Sequence, residues 1–167
     1  RYQVDQIIWN GDDFTRDSST DWTKEAFLNA SRSEPNSTMR VVNRGDTILF
    51  GPMTIQVLNP PGLIWPTSAN DMSIVLKFTW GNTTFLLMGD APSKYAEPDL
   101  LAKGVDGRAD VYKLGHHGLR DATSPPFAWA VQPEVVVNQA SPPETPVMQS
   151  LGQFNPPVPI YYSGRHG

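Results

Sequence analysis

Two histidines stand side by side in the run Gly115-His116-His117-Gly118, and the 167-residue chain has only three in all. Neutral imidazole is the commonest side-chain metal ligand and titrates near neutral pH. The pair follows Ala109-Asp110-Val111-Tyr112-Lys113-Leu114, in which Val111 and Leu114 read as a buried strand. Gly115 and Gly118 flank the pair as turn formers. Both rings are therefore expected on a loop at a strand end, where α/β proteins collect ligands. The competing reading is a structural or exposed pair.

A carboxylate with a similar setting lies upstream. Asn70-Asp71-Met72-Ser73-Ile74-Val75-Leu76-Lys77-Phe78 and Thr84-Phe85-Leu86-Leu87-Met88-Gly89-Asp90 read as two strands joined by a turn at Gly81-Asn82. The second strand is apolar from Phe85 to Met88, which predicts burial on both faces. A carboxylate closing such a strand can face solvent, a metal or a partner cation, and Gly89 lets the backbone approach closely. The competing role for Asp90 is a helix N-cap, because Ala91-Pro92 follows and proline suits a first helical turn.

Taken in order, Asn-Asp-x-Ser-Ile-Val-Leu, Phe-Leu-Leu-x-Gly-Asp and Asp-Val-x-Lys-x-Gly-His-His-Gly resemble the C-terminal half of a metallo-β-lactamase-fold domain. The likeness is greatest to the hydrolase domain of ComEC-type DNA-uptake (competence) proteins and their free-standing relatives. It covers about residues 40 to 165 and is sharpest from Asn70 to Gly118. The resemblance implies an α/β fold, the αββα sandwich, present only as its C-terminal half, so that residues 1–167 form a single incomplete domain. It implies a metal-dependent hydrolase that cleaves phosphodiesters, DNA among them, in the full-length parent. Two divalent ions, Zn or Mn, about 3.5–4 Å apart would clamp the attacking and leaving oxygens. Asp90 would be the bridging ligand and one of His116 and His117 would hold the second ion, with the choice between them open. Asp71 or Asp110 could receive the other ring N–H of the ligating histidine, although each also reads as an ordinary turn or surface acid. Lys113 and Arg120 flank the pair and could contact a phosphate; each reads equally well as a solvated surface charge.

The chain also departs from the pattern. Family enzymes carry a His-x-His-x-Asp-His motif near the N-terminus, and here no histidine precedes His116. The expectation is a piece whose first half was removed by proteolysis or design or sits on another chain, with a degenerate homologue as the alternative. The piece alone would be inactive and would expose a face that its missing half, or a second chain, covers. Leu119 stands where relatives have Ser after His-His-Gly, with Thr123 and Ser124 close behind, and Thr145-Pro146 stands where relatives often have His-Pro. His166, near the end, reads as a terminal histidine. Two other functions stay open: a non-catalytic binding module, and a hydrolase of a small ester or lactone, since one fold hosts many chemistries.

The elements that must position these residues follow from patterning. Strands are expected at Val4–Trp9, Val41–Val42, Thr47–Phe50, Thr54–Leu58, Val135–Asn138 and Val158–Tyr162, besides the three already described. Helices are expected at Thr23–Asn29 with Thr20 or Asp21 as cap, over Ser93–Lys103 with Pro98 interrupting, at Pro126–Val131 and at Thr145–Leu151. Asp12–Asp21 and Ser31–Thr38 read as loops. Strands alternating with helices in the second half indicate a layered α/β arrangement.

Composition sets the outer limits. Hydrophobic residues are 39% and charged residues 18%, the balance of a globular chain. No apolar run approaches the ~18 residues of a membrane span, so no membrane contact is expected from this chain itself. There are no cysteines, hence no disulfides or thiolate ligands. A net charge of −4 argues against a broadly basic nucleic-acid surface but leaves room for a local basic groove. An extracytoplasmic location is implied by the ComEC resemblance alone.

Overall fold

The computed structural model describes residues 3–11, 18–62, 68–139 and 142–165. His166 lies outside them, as do residues 12–17 of the expected first loop. The chain divides into two compact units, Arg1–Val42 and Asn43–Gly167.

In the first unit, strand β1 (Gln6–Trp9) pairs in parallel with β2 (Thr38–Val41), across the connecting helix α1 (Ser18–Ser33). The Val42 N–H donates to the Trp9 carbonyl at 2.8 Å, and Trp9 meets Phe27 of α1 edge to face. Helix α1 is longer than the expected Thr23–Asn29. It starts at Ser18, so Thr20 and Asp21 lie inside the helix and do not cap it. At its other end it extends past Ser31, on Ala30 and Arg32, two good helix formers.

The second unit is built on one seven-stranded sheet whose spatial order is the chain order. Strands β3 (Thr47–Phe50), β4 (Met53–Asn59), β5 (Val75–Trp80) and β6 (Thr83–Leu87) form an antiparallel meander. Strands β7 (Val111–Lys113), β8 (Val135–Asn138) and β9 (Ile160–Tyr162) then run parallel to β6. Parallel neighbours require crossovers, and helices α2 (Ala96–Ala102), α3 (Pro125–Val131) and α4 (Thr145–Leu151) lie in those three connections. Pro98 does not interrupt α2: it lies in the first turn, where the N–H has no intrahelical partner to lose.

The core sits on one face of this sheet. Leu86, Met88, Tyr112, Leu114 and Val136 pack with Leu100 of α2, Phe127, Ala128 and Val131 of α3, and Val147 and Leu151 of α4. Strand β6 is not buried on both faces as its apolar run predicted. Leu86 and Met88 are fully buried, whereas Phe85 and Leu87 are half-buried. Their cross-strand partners Phe78, Leu76 and Val111 share that second face and are likewise half-buried. No helix among the described residues is long and apolar enough to cross a membrane.

Candidate functional site

The three sequence blocks meet at one end of the sheet, where β5 starts and β6 and β7 end, and the C-terminal end of β8 joins them. Gly89 and Asp90 follow β6, the histidine turn follows β7, and Asn138 and Gln139 close β8. Two hydrogen bonds tie the first two together at a single acceptor. The Gly89 carbonyl takes the His116 N–H at 3.2 Å and the Lys113 ammonium at 3.0 Å.

The turn itself is tightly wound. His116, His117 and Gly118 have φ of 39°, 57° and 74°, three successive residues in the left-handed region. That conformation costs a non-glycine residue on the order of 1–3 kcal/mol and persists only where surroundings impose it. A side chain at Gly118 would put its Cβ 2.7 Å from Asn138 Nδ2, and one at Gly115 would stand 2.5 Å from the Ala91 carbonyl. Both glycines are thus required by close approach. Gly89 is also left-handed, at φ 60°, which turns Asp90 out of the line of the strand. Asp90 is no helix cap, since α2 begins six residues later at Ala96. Its N–H instead donates to Ser73 Oγ at 3.2 Å.

The turn sends the two rings to different partners. His117 Nε2 lies 3.5 Å from Asp90 Oδ1, with both side chains half-exposed. Its Nδ1 lies 3.1 Å from Gln139 Nε2, and its carbonyl accepts from Asn138 Nδ2 at 3.0 Å. His116 is engaged at both nitrogens. Nδ1 is 2.9 Å from Asp121 Oδ1, and Nε2 is 3.3 Å from Asn70 Nδ2. A carboxylate only accepts, so Nδ1 carries the proton and Nε2 receives the Asn70 amide.

The carboxylate in hydrogen-bond reach of the His116 ring is therefore Asp121, and Asp71 and Asp110 are engaged elsewhere. Asp71 is buried and accepts the Ser68 N–H at 2.9 Å, closing a short helical turn. Asp110 accepts from the Thr84 N–H and hydroxyl at 2.6 and 2.9 Å, and those bonds hold its carboxyl below the ordinary aspartate range. The hydroxyls behind Leu119 also turn inward. Thr123 accepts from Tyr112, and Ser124 caps α3 and donates to Glu97. Leu119 itself is part-exposed.

Of the two flanking cations, Lys113 is half-buried, and burial pushes its pKa down against the pull of Asp90. Its ammonium is committed to Gly89. Arg120 is largely exposed, its Nε 3.5 Å from Glu144 Oε2.

An imidazole nitrogen and a carboxylate oxygen form a donor set suited to Zn²⁺ or Mn²⁺. A tetrahedral zinc ion with both ligands at about 2.0–2.2 Å holds them roughly 3.4 Å apart, and Asp90 and His117 are 3.5 Å apart. The pair thus fits as part of a metal site. Among the described residues no group of three or more His, Asp or Glu side chains is arranged to hold a metal ion.

Comparison with known proteins places this geometry in a wider setting. No family model matches the chain. Over 116 residues, 70% of its length, it is 32% identical to ComE operon protein 3 of Bacillus subtilis. Among solved structures, the metallo-β-lactamase fold protein YhfI of Bacillus subtilis superposes on 97% of the chain with a TM-score of 0.56, at 12% identity. The chain has the metallo-β-lactamase fold. A variant of the β-hydroxylase CmlA matches 78% of the chain with a TM-score of 0.52, also at 12% identity. The chain spans 15% of ComE operon protein 3, 63% of YhfI and 33% of CmlA. In metallo-β-lactamase-fold terms, the seven-stranded sheet with its three helices supplies a sheet layer and a helix layer, and the candidate site lies at its strand ends.

Proposed function

We propose that this domain forms part of the active site of a metal-dependent hydrolase that cleaves phosphodiesters, DNA among them, in the parent protein. The observation that carries the reading is the convergence of Asp90 and His117 at ion-spanning distance, on a turn held in a strained backbone. Asp90 and His117 would hold a divalent ion, Zn²⁺ or Mn²⁺, through Oδ1 and Nε2. Such an ion supplies Lewis-acid stabilisation of a phosphoryl oxygen and lowers the pKa of bound water. The remaining ligands of a two-ion site would come from chain beyond these 167 residues or from a second chain, which would also cover the half-buried sheet face.

His116 takes a different part in this proposal. With Asp121 and Asn70 on its two nitrogens, it braces the turn that presents His117. Lys113 fixes the Gly89 carbonyl and so the direction of Asp90. Arg120, exposed beside the turn, would meet a substrate phosphate. By the ComEC resemblance, the same proposal puts the domain outside the cytoplasm. A non-catalytic module is favoured by one observation, the absence of a third donor among the described residues.

Calorimetric titration of the chain with Zn²⁺ and Mn²⁺, alone and joined to the coding sequence upstream of Arg1, tests the reading. The longer protein is expected to bind tightly and to cleave DNA or a simple phosphodiester. The 167-residue chain is expected to bind weakly and cleave nothing. A longer protein that binds no cation and cleaves neither substrate would establish the non-catalytic module instead.

A further inference from the structure

Two side chains reach the candidate site from a stretch of chain that offers it no ligand. Ser73 Oγ accepts the Asp90 N–H at 3.2 Å, and the Asn70 amide lies 3.3 Å from His116 Nε2. Ser73 stands so close that a Cβ at Gly89 would meet its own Cβ at 3.2 Å. Both residues belong to the short turn Ala69–Met72 and the residue after it, which lead into β5.

That stretch is held by Asn59, the last residue of β4, which is 2% exposed. Asn59 Nδ2 donates to the Asp71 carbonyl at 2.9 Å and to the Ser73 carbonyl at 2.8 Å. Both partners are carbonyl oxygens, which only accept, so the orientation of this amide is fixed. Turned over, its Oδ1 would face two acceptors in a buried place with no donor between them.

The residues that follow explain why a side chain is needed here. Asn59 pairs with Val75 at the end of the β4–β5 ladder, after a register shift between Val57 and Asn59. A shift of this kind re-aims the side chain beside it. Continued by two residues, the ladder would set Pro60 and Pro61 against Ile74 and Ser73. Neither proline has an N–H. The β4 backbone therefore has no donor for the carbonyls that precede β5, and the two N–H groups of one primary amide take its place.

We propose that Asn59 is a positioning residue of the candidate cation site: its buried amide fixes the Asp71 and Ser73 carbonyls, Ser73 in turn fixes the Asp90 backbone, and Asp90 is so held facing His117. The inference rests on the reading of Asp90 and His117 as a cation-binding pair and extends it to a residue that is itself no ligand.

Amide hydrogen exchange in the metal-free 15N-labelled chain, with Zn²⁺ affinity from chelator competition, tests this on Asn59→Ala, Ser73→Ala and the double variant. Asn59→Ala is expected to speed exchange of the Asp90 amide by about tenfold, while the β7 and β8 amides keep their wild-type rates. Zn²⁺ binding is expected to weaken by about tenfold, the loss typical of an outer partner. Because Asn59 acts through Ser73, the double variant is expected to match Ser73→Ala in both readouts. A residue that merely stabilises the fold would speed the β7 and β8 amides as well, and its effect would multiply with that of Ser73→Ala; either result overturns the proposal. If Asn59→Ala does not fold, the wild type decides in a urea series. The Asn59 side-chain protons and the Asp90 amide are expected to open in one step, and an Asp90 amide that exchanges while the Asn59 protons stay protected overturns the proposal. If the wild type takes up no Zn²⁺, the cation reading of the site falls, while the exchange rates still decide whether Asn59 holds Asp90.

Discussion

Polar side chains gather at two places in the second unit, and the two places differ in almost every physical respect. At the strand ends, Asp90, His116, His117, Asp121 and Gln139 sit half-exposed or exposed on turns. Their hydrogen bonds link side chains from four separate stretches of chain. Behind β7, Glu97 of α2 is completely buried, its Oε2 receiving the Ser124 N–H at 2.8 Å and hydroxyl at 2.6 Å. The Tyr112 hydroxyl donates to Thr123, and Ser150 of α4 donates to the Thr123 carbonyl. This second cluster joins the helix layer to the sheet. It has titratable groups but no access, so it can act on stability and not on a ligand. The first cluster has access and carries its cost as backbone strain.

The largest effect that would erase the difference comes from the turn. Gly115→Ala forces a Cβ against the Ala91 carbonyl, a backbone atom that cannot move aside. The expected loss is about 3 kcal/mol or more, read as a fall in Tm. A change within 0.5 kcal/mol would mean that the turn is loose and the strand-end cluster not preorganised.

The buried cluster makes the next largest prediction. Burial raises the Glu97 carboxyl from its ordinary 4.5 to about 7, with the Ser124 bonds opposing the shift. The folded protein therefore keeps this proton where the unfolded chain has lost it. Stability contributed by the neutral acid is complete below about pH 4.5, falls as pH rises through 7, and is absent above. The penalty for the ionised form is on the order of 3 kcal/mol. In Glu97→Gln the amide oxygen keeps both Ser124 bonds, so this slope should vanish from urea midpoints measured between pH 5 and 8. A slope that persists in the variant would assign it to another group.

A smaller effect is expected where the open cluster is braced. Asp121→Ala leaves the His116 Nδ1–H without its acceptor but open to water, at a cost of about 1 kcal/mol. The distinctive sign is local: faster hydrogen exchange at the His116–Leu119 amides, with those of β7 unchanged. Equal protection in both proteins would remove His116 from the bracing role.

Much of this was legible in the chain, for stated reasons. The alternation of strands and helices after Thr83, the glycines around the histidine pair and the apolar strands leading to Asp90 and His116 are local signals, and the structure places those elements where local signals operate. What the sequence hid depends on contacts made at a distance. Nothing in the sequence marks Asp121, because only the left-handed turn folds it back on to the His116 ring. Gln139 follows a plain β8 strand, and nothing nearby marks it. Glu97 reads as an ordinary surface acid on a short helix, and its burial follows from packing between α2, α3 and β7. The half-buried second face of β6 is hidden for the same reason, since an apolar run reports that burial is possible and not which layer provides it. The start of helix α1 is hidden because Ser18 to Asp21 resemble a loop, while the contacts that hold the helix, buried Leu28 and Phe27 against Trp9, come later in it.

The central claim is that two neighbouring histidines are divided between two tasks, His117 for the cation and His116 for the turn. Zn²⁺ affinity of the chain and of its His117→Ala, His116→Ala and Asp90→Ala variants, measured by competition with a chromogenic chelator, tests it most directly. Loss of a first ligand is expected to weaken binding by about 100-fold or more, and loss of an outer partner by about tenfold. The account therefore predicts a large, equal loss for His117→Ala and Asp90→Ala and a much smaller one for His116→Ala. The opposite order, with His116→Ala abolishing binding and His117→Ala sparing it, would contradict it.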